Sequence, residues 1–367
     1  MSPPQPPIAM LAELTHRCPL ACPYCSNPVA LARREAELPA AIWANVFEQA
    51  AALGVLQLHL SGGEPLSRRD LPEIVAAARE AGLYVNLITS GVGLTPARMA
   101  ALEAAGLDHV QLSLQGTDAA MADRIGGYPG GFARKMEVAA LIRESGLPLT
   151  LNFVMHRQNM DQLPDAIELA VAFGARRMEA ATVQFHGWAM LNRAALMPTR
   201  EQARDAAEVV RAARERLKGV LVIDYVPADY HATYPKPCMN GWGATGLNVT
   251  PEGRVLPCHA AASIPGLAFE TVRDRPLAAI WTDGPAFTAF RGADWMQEPC
   301  RSCERKTIDF GGCRCQAMAI AGDPAATDPV CVKSPFRGRI DALVEDFAAR
   351  DEAGLTYRRM EDASALD

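Results

Sequence analysis

Cys18, Cys22 and Cys25 stand in CxxxCxxC spacing directly behind the first apolar segment of the chain, 8–14 (IAMLAEL). Three thiolates this close cannot complete a four-ligand site. They suit a 4Fe–4S cluster whose fourth iron stays open to a substrate or cofactor. The alternative is a zinc ion borrowing a distant fourth ligand, with Tyr24 inside the loop a packing aromatic.

Beyond the loop, the pattern of the chain constrains the fold. Short apolar strands, 55–60, 83–88, 109–114, 149–154 and 178–183, alternate with amphipathic helices near 40–53, 70–81, 96–105, 132–145 and 162–173. A last helix, 200–217, has Thr199 as its expected N-cap. Six βα units predict an α/β fold, a parallel sheet curled into a partial (β/α)6 TIM-like barrel. A further strand, 220–225, is expected to lead out of it. The C-terminal ends of barrel strands form one rim. CxxxCxxC, Ser61-Gly62-Gly63-Glu64-Pro65, Thr89-Ser90-Gly91, Ser113, Asn152 and Gln184-Phe185-His186-Gly187-Trp188 all fall there.

From 226 to 336 Gly, Pro and Cys become frequent and helical periodicity is lost. Such a stretch has little apolar core and is expected to fold around metal. The expected division is therefore 1–225 barrel, 226–336 metal-rich domain and 337–367 helix and tail. The helix is placed at 337–352, and the last dozen residues are expected to be mobile. A formal net charge of −6 argues against a nucleic-acid partner. There is no apolar run of membrane-spanning length, and MSPPQPPIAM lacks the order of an export signal. Both point to the cytoplasm, where ten clustered cysteines mean metal or redox sites rather than disulfides.

The cysteine loop, the GGE stretch and the strand alternation together resemble the radical S-adenosylmethionine (SAM) enzymes. The resemblance implies that Cys18, Cys22 and Cys25 hold a 4Fe–4S cluster whose open iron is chelated by the amino and carboxylate groups of SAM. It places Tyr24 beside the adenine and Gly62, Gly63 and Glu64 at the methionine ammonium. Ser90, Ser113 and Asn152 become contacts to ribose or carboxylate, and Gly187 and Trp188 become backbone contacts to adenine. Arg124 is a candidate partner for the SAM carboxylate, while Gly126 stands where relatives often carry a second arginine.

The later cysteines resemble the SPASM extension of these enzymes: Cys238, Gly253-x4-Cys258, then Cys300-x2-Cys303-x5-Asp309-x3-Cys313, then Cys331. Aspartate replaces the third cysteine of the run. By that resemblance Cys300, Cys303, Asp309 and Cys331 hold an outer auxiliary iron–sulfur cluster. Cys238, Cys258 and Cys313 hold an inner one, 4Fe–4S or 2Fe–2S, with Cys315 filling the place where Ala244 stands in for a cysteine. Two zinc knuckles are the alternative, and a surface acid is the plain reading of Asp309.

LTHRCPLACPYCSNP (14–28), LHLSGGEPLSRRDL (58–71), QFHGWAMLNRAALMPTREQ (184–202) and CERKTIDFGGCRCQA (303–317) are similar to the peptide cyclases of pyrroloquinoline quinone (PQQ) biosynthesis. That branch joins a glutamate side-chain carbon to a tyrosine ring carbon in a precursor peptide. It works with a small peptide chaperone and an electron donor such as flavodoxin or ferredoxin. No catalytic residue is singled out; His186, Tyr225, Asp224 and Asp229 are unranked candidates for the base. The other readings are a SPASM enzyme forming formylglycine or thioethers, and a non-catalytic iron–sulfur or zinc protein.

Overall fold

The computed structural model describes residues 4–348 and 354–359. Strand β1 (Ala9–Thr15) opens a sheet. β2 (Gln57–Gly62), β3 (Tyr84–Thr89), β4 (His109–Leu114), β5 (Leu149–Met155), β6 (Arg177–Thr182) and β7 (Val222–Val226) come next, each parallel to the one before. The spatial order never reverses, so every crossover leaves the sheet on the same side and the sheet curls. Helices α1 (Ala40–Leu53), α2 (Leu71–Glu80), α3 (Pro96–Ala104), α4 (Ala119–Gly126), α5 (Gly131–Ser145) and α6 (Leu163–Ala172) lie on its outer face. Between β6 and β7 come short α7 (Gly187–Leu191) and α8 (Arg193–Leu196), then α9 (Arg200–Arg216).

The helix ends obey local chemistry. Thr199 caps α9 in a full capping box with Gln202. Thr95 precedes Pro96 at the start of α3, and Asp118 caps α4.

The period-2 alternation of the strands sets the site. In β1, Met10, Ala12 and Leu14 are fully buried against the helices, while Leu11 and Glu13 line the interior of the barrel. The same alternation sends Gln111, Ser113, Asn152, Val154 and Glu179 inward from β4, β5 and β6. Ser113 pairs laterally with Asn152, and Asn152 with Glu179, so the inward face is a polar belt. A register shift between Glu13 and Thr15 kinks β1 just before the cysteine loop.

Three expectations are corrected. Strand β2 begins at Gln57 and runs through Ser61 and Gly62, which pair with Glu13 and Thr15. Leu56, counted inside it, is largely exposed, so the apolar run alone misplaced its start. The strand expected to leave the barrel is β7, parallel to β6. The region from 226 to 336 is not without regular structure. Strand β8 (Gly246–Val249) pairs parallel with the free side of β1, and β9 (Val255–Leu256) pairs antiparallel with β8. Helices α10 (Leu277–Asp283), α11 (Pro285–Thr288) and α12 (Arg314–Ala321) complete it. They are too short for helical periodicity to register. Leu247, Val249, Trp281 and Phe287 join the barrel's own core, so the sheet and its apolar layer cross the expected boundary at 225.

Helix α13 (Arg337–Ala348) packs Ile340 and Phe347 with Val183, Phe185 and Tyr230. The remainder of the expected helix, 349–352, lies outside the described residues.

Candidate active site and cluster centres

Cys18, Cys22, Cys25, Gly62 and Gly63 line one cavity of about 490 Å3 inside the barrel, with Ser90, Ser113 and Asn152. The GGE loop is docked beneath the cysteine loop: Gly63 N donates to Thr15 O (2.6 Å) and Glu64 N to Arg17 O (2.7 Å). His16 anchors the loop from the other side by accepting from Ala32 N at Nδ1 (2.8 Å). Burial drives the thiol of Cys18 up to about 12, with Glu64 adding to it, and that of Cys22 up to about 11. Cys25 is raised for the same reason. Thiols in such surroundings ionise only against concentrated positive charge, which an iron–sulfur cluster supplies. The cavity also presents buried polar atoms without protein partners: Asn152 Oδ1, Gln115 Oε1 and Thr182 Oγ1. A cavity with a thiol end and an orphaned polar wall fits a cluster plus a polar ligand such as SAM.

Glu64 does not reach into this space. Its Oε1 accepts from Leu66 N (3.0 Å) and Thr89 Oγ1 (2.7 Å), and its Oε2 from Ser90 N (2.7 Å) and Ser90 Oγ (2.5 Å). The carboxylate ties β2 to the end of β3, so the carbonyls of the glycine turn are what the motif offers to an ammonium. Beneath it lies Lys135 from α5, which donates to Ser90 O (2.6 Å) and Ser113 O (2.8 Å). Burial pulls Lys135 down to about 8.

Tyr24 OH accepts from Gln115 Nε2 (2.9 Å) at the cavity wall. Gly187 approaches the cysteine loop so closely that a Cβ would stand 1.9 Å from Asn27 O. Its neighbour Trp188 is buried outside the cavity, its carbonyl taken by Asn192. Arg124 points elsewhere, donating to Gln158 Oε1 (2.6 Å).

Cys238, Cys258, Cys313 and Cys315 meet at a second centre. Cys313 is within hydrogen-bonding reach of both Cys238 and Cys315, and Cys315 reaches Cys258. These neighbours, with His186, pull the Cys313 thiol well below its ordinary value. Cys315 is thus the fourth thiol of this group, and the group sits at a helix start: Cys313 caps α12 and accepts from Gln316 N (3.4 Å). Asp328 supports the loop by accepting from Cys313 N (2.7 Å).

Beside this centre lies a second cavity of about 380 Å3, lined by Met190, Leu191, His186, His259 and Cys315. It shares Ser26 and His259 with the first. Of the four base candidates, only His186 lines a cavity of this size. Asp224 is paired with Arg177 and Asp229 with Lys236 (2.8 Å). Tyr225 lines neither cavity.

Cys300, Cys303, Asp309 and Cys331 line a third, small pocket. Asp309 is 6% exposed, against the reading of a surface acid. Gly311 N donates to its Oδ1 (3.1 Å) and Arg305 Nε to its Oδ2 (3.2 Å). Lys333 Nζ lies 3.3 Å from Cys303 Sγ. Two cations around three thiols and a carboxylate suit an anionic cluster. Asp309→Ala is expected to alter the electron paramagnetic resonance spectrum of one auxiliary cluster only, and Asp309→Cys to lower its potential, since thiolate donates more strongly to iron. An unchanged spectrum in both variants would return Asp309 to a structural role.

Sequence reasoning missed Lys135, His259 and, above all, Arg358. Of the last dozen residues, expected to be mobile, 356–359 are among those described and are bonded to the rest of the fold, and Arg358 lines the first cavity. The only signal for it was a basic pair, Arg358-Arg359, behind an aromatic, Tyr357.

The chain is similar to known proteins. The sequence model of the radical SAM superfamily matches residues 12–170, and that of the SPASM iron–sulfur cluster-binding domain matches 238–304. The PqqA peptide cyclase of Ruegeria pomeroyi is 64% identical over 96% of this chain and 95% of its own. That of Rhizobium meliloti is 63% identical over 96% and 94%. That of Gluconobacter oxydans is 56% identical over 98% and 99%. Among solved structures, Streptococcus suis SuiB bound to S-adenosylmethionine has a TM-score of 0.75 at 20% identity, covering 89% of this chain and 78% of its own. The anSMEcpe structure with bound AdoMet and the Kp18Cys peptide has a TM-score of 0.63 at 13% identity, covering 94% and 97%. At such identities these two share the fold.

Proposed function

Since the chain belongs to the PqqA peptide cyclase family of radical SAM enzymes with a SPASM domain, we propose that it links a glutamate side-chain carbon to a tyrosine ring carbon in a precursor peptide during PQQ biosynthesis. One observation carries this reading: the cavity bearing Cys18, Cys22 and Cys25 and a second cavity beside Cys315 adjoin at Ser26 and His259, which line both. A peptide segment lying across both has one residue near the SAM-cleaving centre and another near the inner auxiliary centre.

Cys18, Cys22 and Cys25 hold the first cluster, Cys238, Cys258, Cys313 and Cys315 the inner one, and Cys300, Cys303, Asp309 and Cys331 the outer one. When bound, SAM and the first cluster supply a hydrogen-abstracting radical, and the auxiliary clusters supply an exit for one electron. The chain's own residues do the rest. The carbonyls of the Gly62–Gly63 turn would accept from the ammonium of SAM, Gly62 O beside the bond it takes from Asn27 Nδ2 (3.3 Å), and Asn152, Gln115 and Thr182 offer unpaired atoms to its polar groups. The apolar lining at Met190 and Leu191 suits the tyrosine ring.

The product loses two hydrogens: one as an atom taken from glutamate, the other as a proton and an electron when the ring regains aromaticity. A peptide chaperone that presents the precursor and a flavodoxin or ferredoxin donor are the partners of this reading, with the cytoplasm as the compartment. No helix among the described residues is long and apolar enough to cross a membrane.

The test is direct. Anaerobically reconstituted protein given SAM and a strong reductant should release 5′-deoxyadenosine, and a Cys18→Ala control should not. With the precursor peptide and chaperone present, the peptide should become two hydrogens lighter. Deoxyadenosine without any change in peptide mass would instead favour formylglycine or thioether chemistry on another peptide.

A further inference from the structure

The tail segment 354–359 is fastened to three parts of the fold. Thr356 N donates to Asn192 Oδ1 (2.6 Å), and Asn192 Nδ2 returns a bond to Thr356 O (2.7 Å). Arg358 N donates to Ala21 O inside the cysteine loop (3.0 Å). Tyr357 passes over Gly127, where a Cβ would already lie 3.4 Å from its ring. Gly127 has φ +60°, a conformation that suits glycine and leaves the strap its path.

This fastening delivers one side chain. Arg358 is 4% exposed and lines the cavity of the first cysteines. A terminal nitrogen, Nη2, donates to His16 O, while Nε is buried without a protein partner. Its charge reaches Cys18, Cys22 and Cys25 alike. Among the described residues lining this cavity, Arg358 is the one lysine or arginine; Glu13 and Glu179 bring negative charge. Lys135 is turned away onto the carbonyls of Ser90 and Ser113. Arg124 is engaged with Gln158.

A zwitterionic amino-acid end presented to the cysteine cluster needs acceptors for its ammonium and a donor for its carboxylate. The glycine turn offers acceptors. The acidic belt repels a carboxylate, which leaves the guanidinium as its match. On the reading that this cavity takes SAM, we propose that Arg358 binds the SAM carboxylate, and that residues 354–359 are the strap that positions it.

Equilibrium binding of SAM and of decarboxylated SAM to the reconstituted full chain tests this, with iron and sulfide content measured alongside. Arg358→Met should weaken SAM about ten- to a hundredfold, as loss of a charged hydrogen bond does. It should leave cluster content intact and barely change affinity for decarboxylated SAM. Arg358→Lys should recover part of the loss. Thr356→Pro, which removes the N–H that Asn192 holds, should weaken SAM in the same selective way. Three results overturn the proposal: SAM affinity within twofold of the parent, equal losses for both ligands, or a shifted cluster potential at unchanged SAM affinity. Parent protein that holds its cluster yet fails to bind SAM would overturn the underlying reading too, and is seen before any substitution is made.

Discussion

Gly63→Ala and Gly62→Ala are each expected to cut 5′-deoxyadenosine formation by at least about 100-fold, because each places a methyl group against the backbone at the start of the loop that bears Cys18, Cys22 and Cys25. At Gly63 the new Cβ would lie 2.3 Å from Arg17 O and 2.6 Å from His16 O; at Gly62, 2.2 Å from Thr15 O. These are backbone atoms, which cannot swing aside as a side chain does. Gly62 also sits at φ +124°, which an alanine adopts only with strain. The cysteine loop must then yield by roughly an ångström, and displacement on that scale of reacting groups is enough for a loss on the order of 100-fold. Gly82→Ala is the control: it too has positive φ, but a Cβ there meets nothing within 4 Å, so about 1–2 kcal/mol of stability is the expected cost. Iron content, deoxyadenosine yield and denaturation midpoint separate the cases. Normal turnover in Gly63→Ala would mean that the GGE loop does not dock against the cysteine loop.

How much of the molecule was legible in its sequence depends on how local each feature is. The strands are short apolar runs between turn residues, and all six expected barrel strands form within a residue or two of their expected positions. Thr199 caps α9 because a capping box is written within four residues. The grouping of Cys315 with Cys238, Cys258 and Cys313 was legible only through the resemblance to the SPASM order. Placement across long separations was not. Arg358 meets His16 from the far end of the chain. Lys135 looks in sequence like a solvated residue of an amphipathic helix, yet it is fully buried beneath Ser90 and Ser113. Strand β8 is four residues long and lies among cysteine motifs, so periodicity could not mark it. Trp188 was expected to offer backbone to the adenine; its side chain is buried in α7 and its carbonyl accepts from Asn192, neither of which local sequence marks.

Glu64→Gln separates two roles that the GGE motif allows: acceptor for the SAM ammonium, or tie between two strands. The carboxylate receives four donors, two at each oxygen, and each pair includes a backbone N–H: Leu66 N at Oε1 and Ser90 N at Oε2. The hydroxyls of Thr89 and Ser90 can rotate to accept from an amide. A backbone N–H cannot, so either orientation of glutamine sets an NH2 group against a donor. The change also removes a buried negative charge whose field reaches Lys135. Breaking such a site is expected to cost about 3–5 kcal/mol, read as a lower denaturation midpoint at unchanged m-value. Adding Lys135→Met should cost less on the Glu64→Gln background than on the parent, because the lysine has then lost the charge that favours its burial. SAM affinity should fall only as far as the fold loosens. Had the carboxylate been the ammonium acceptor, the opposite pattern would appear: stability near the parent's and SAM affinity sharply reduced. The four donors around Glu64 commit the structure to the first outcome.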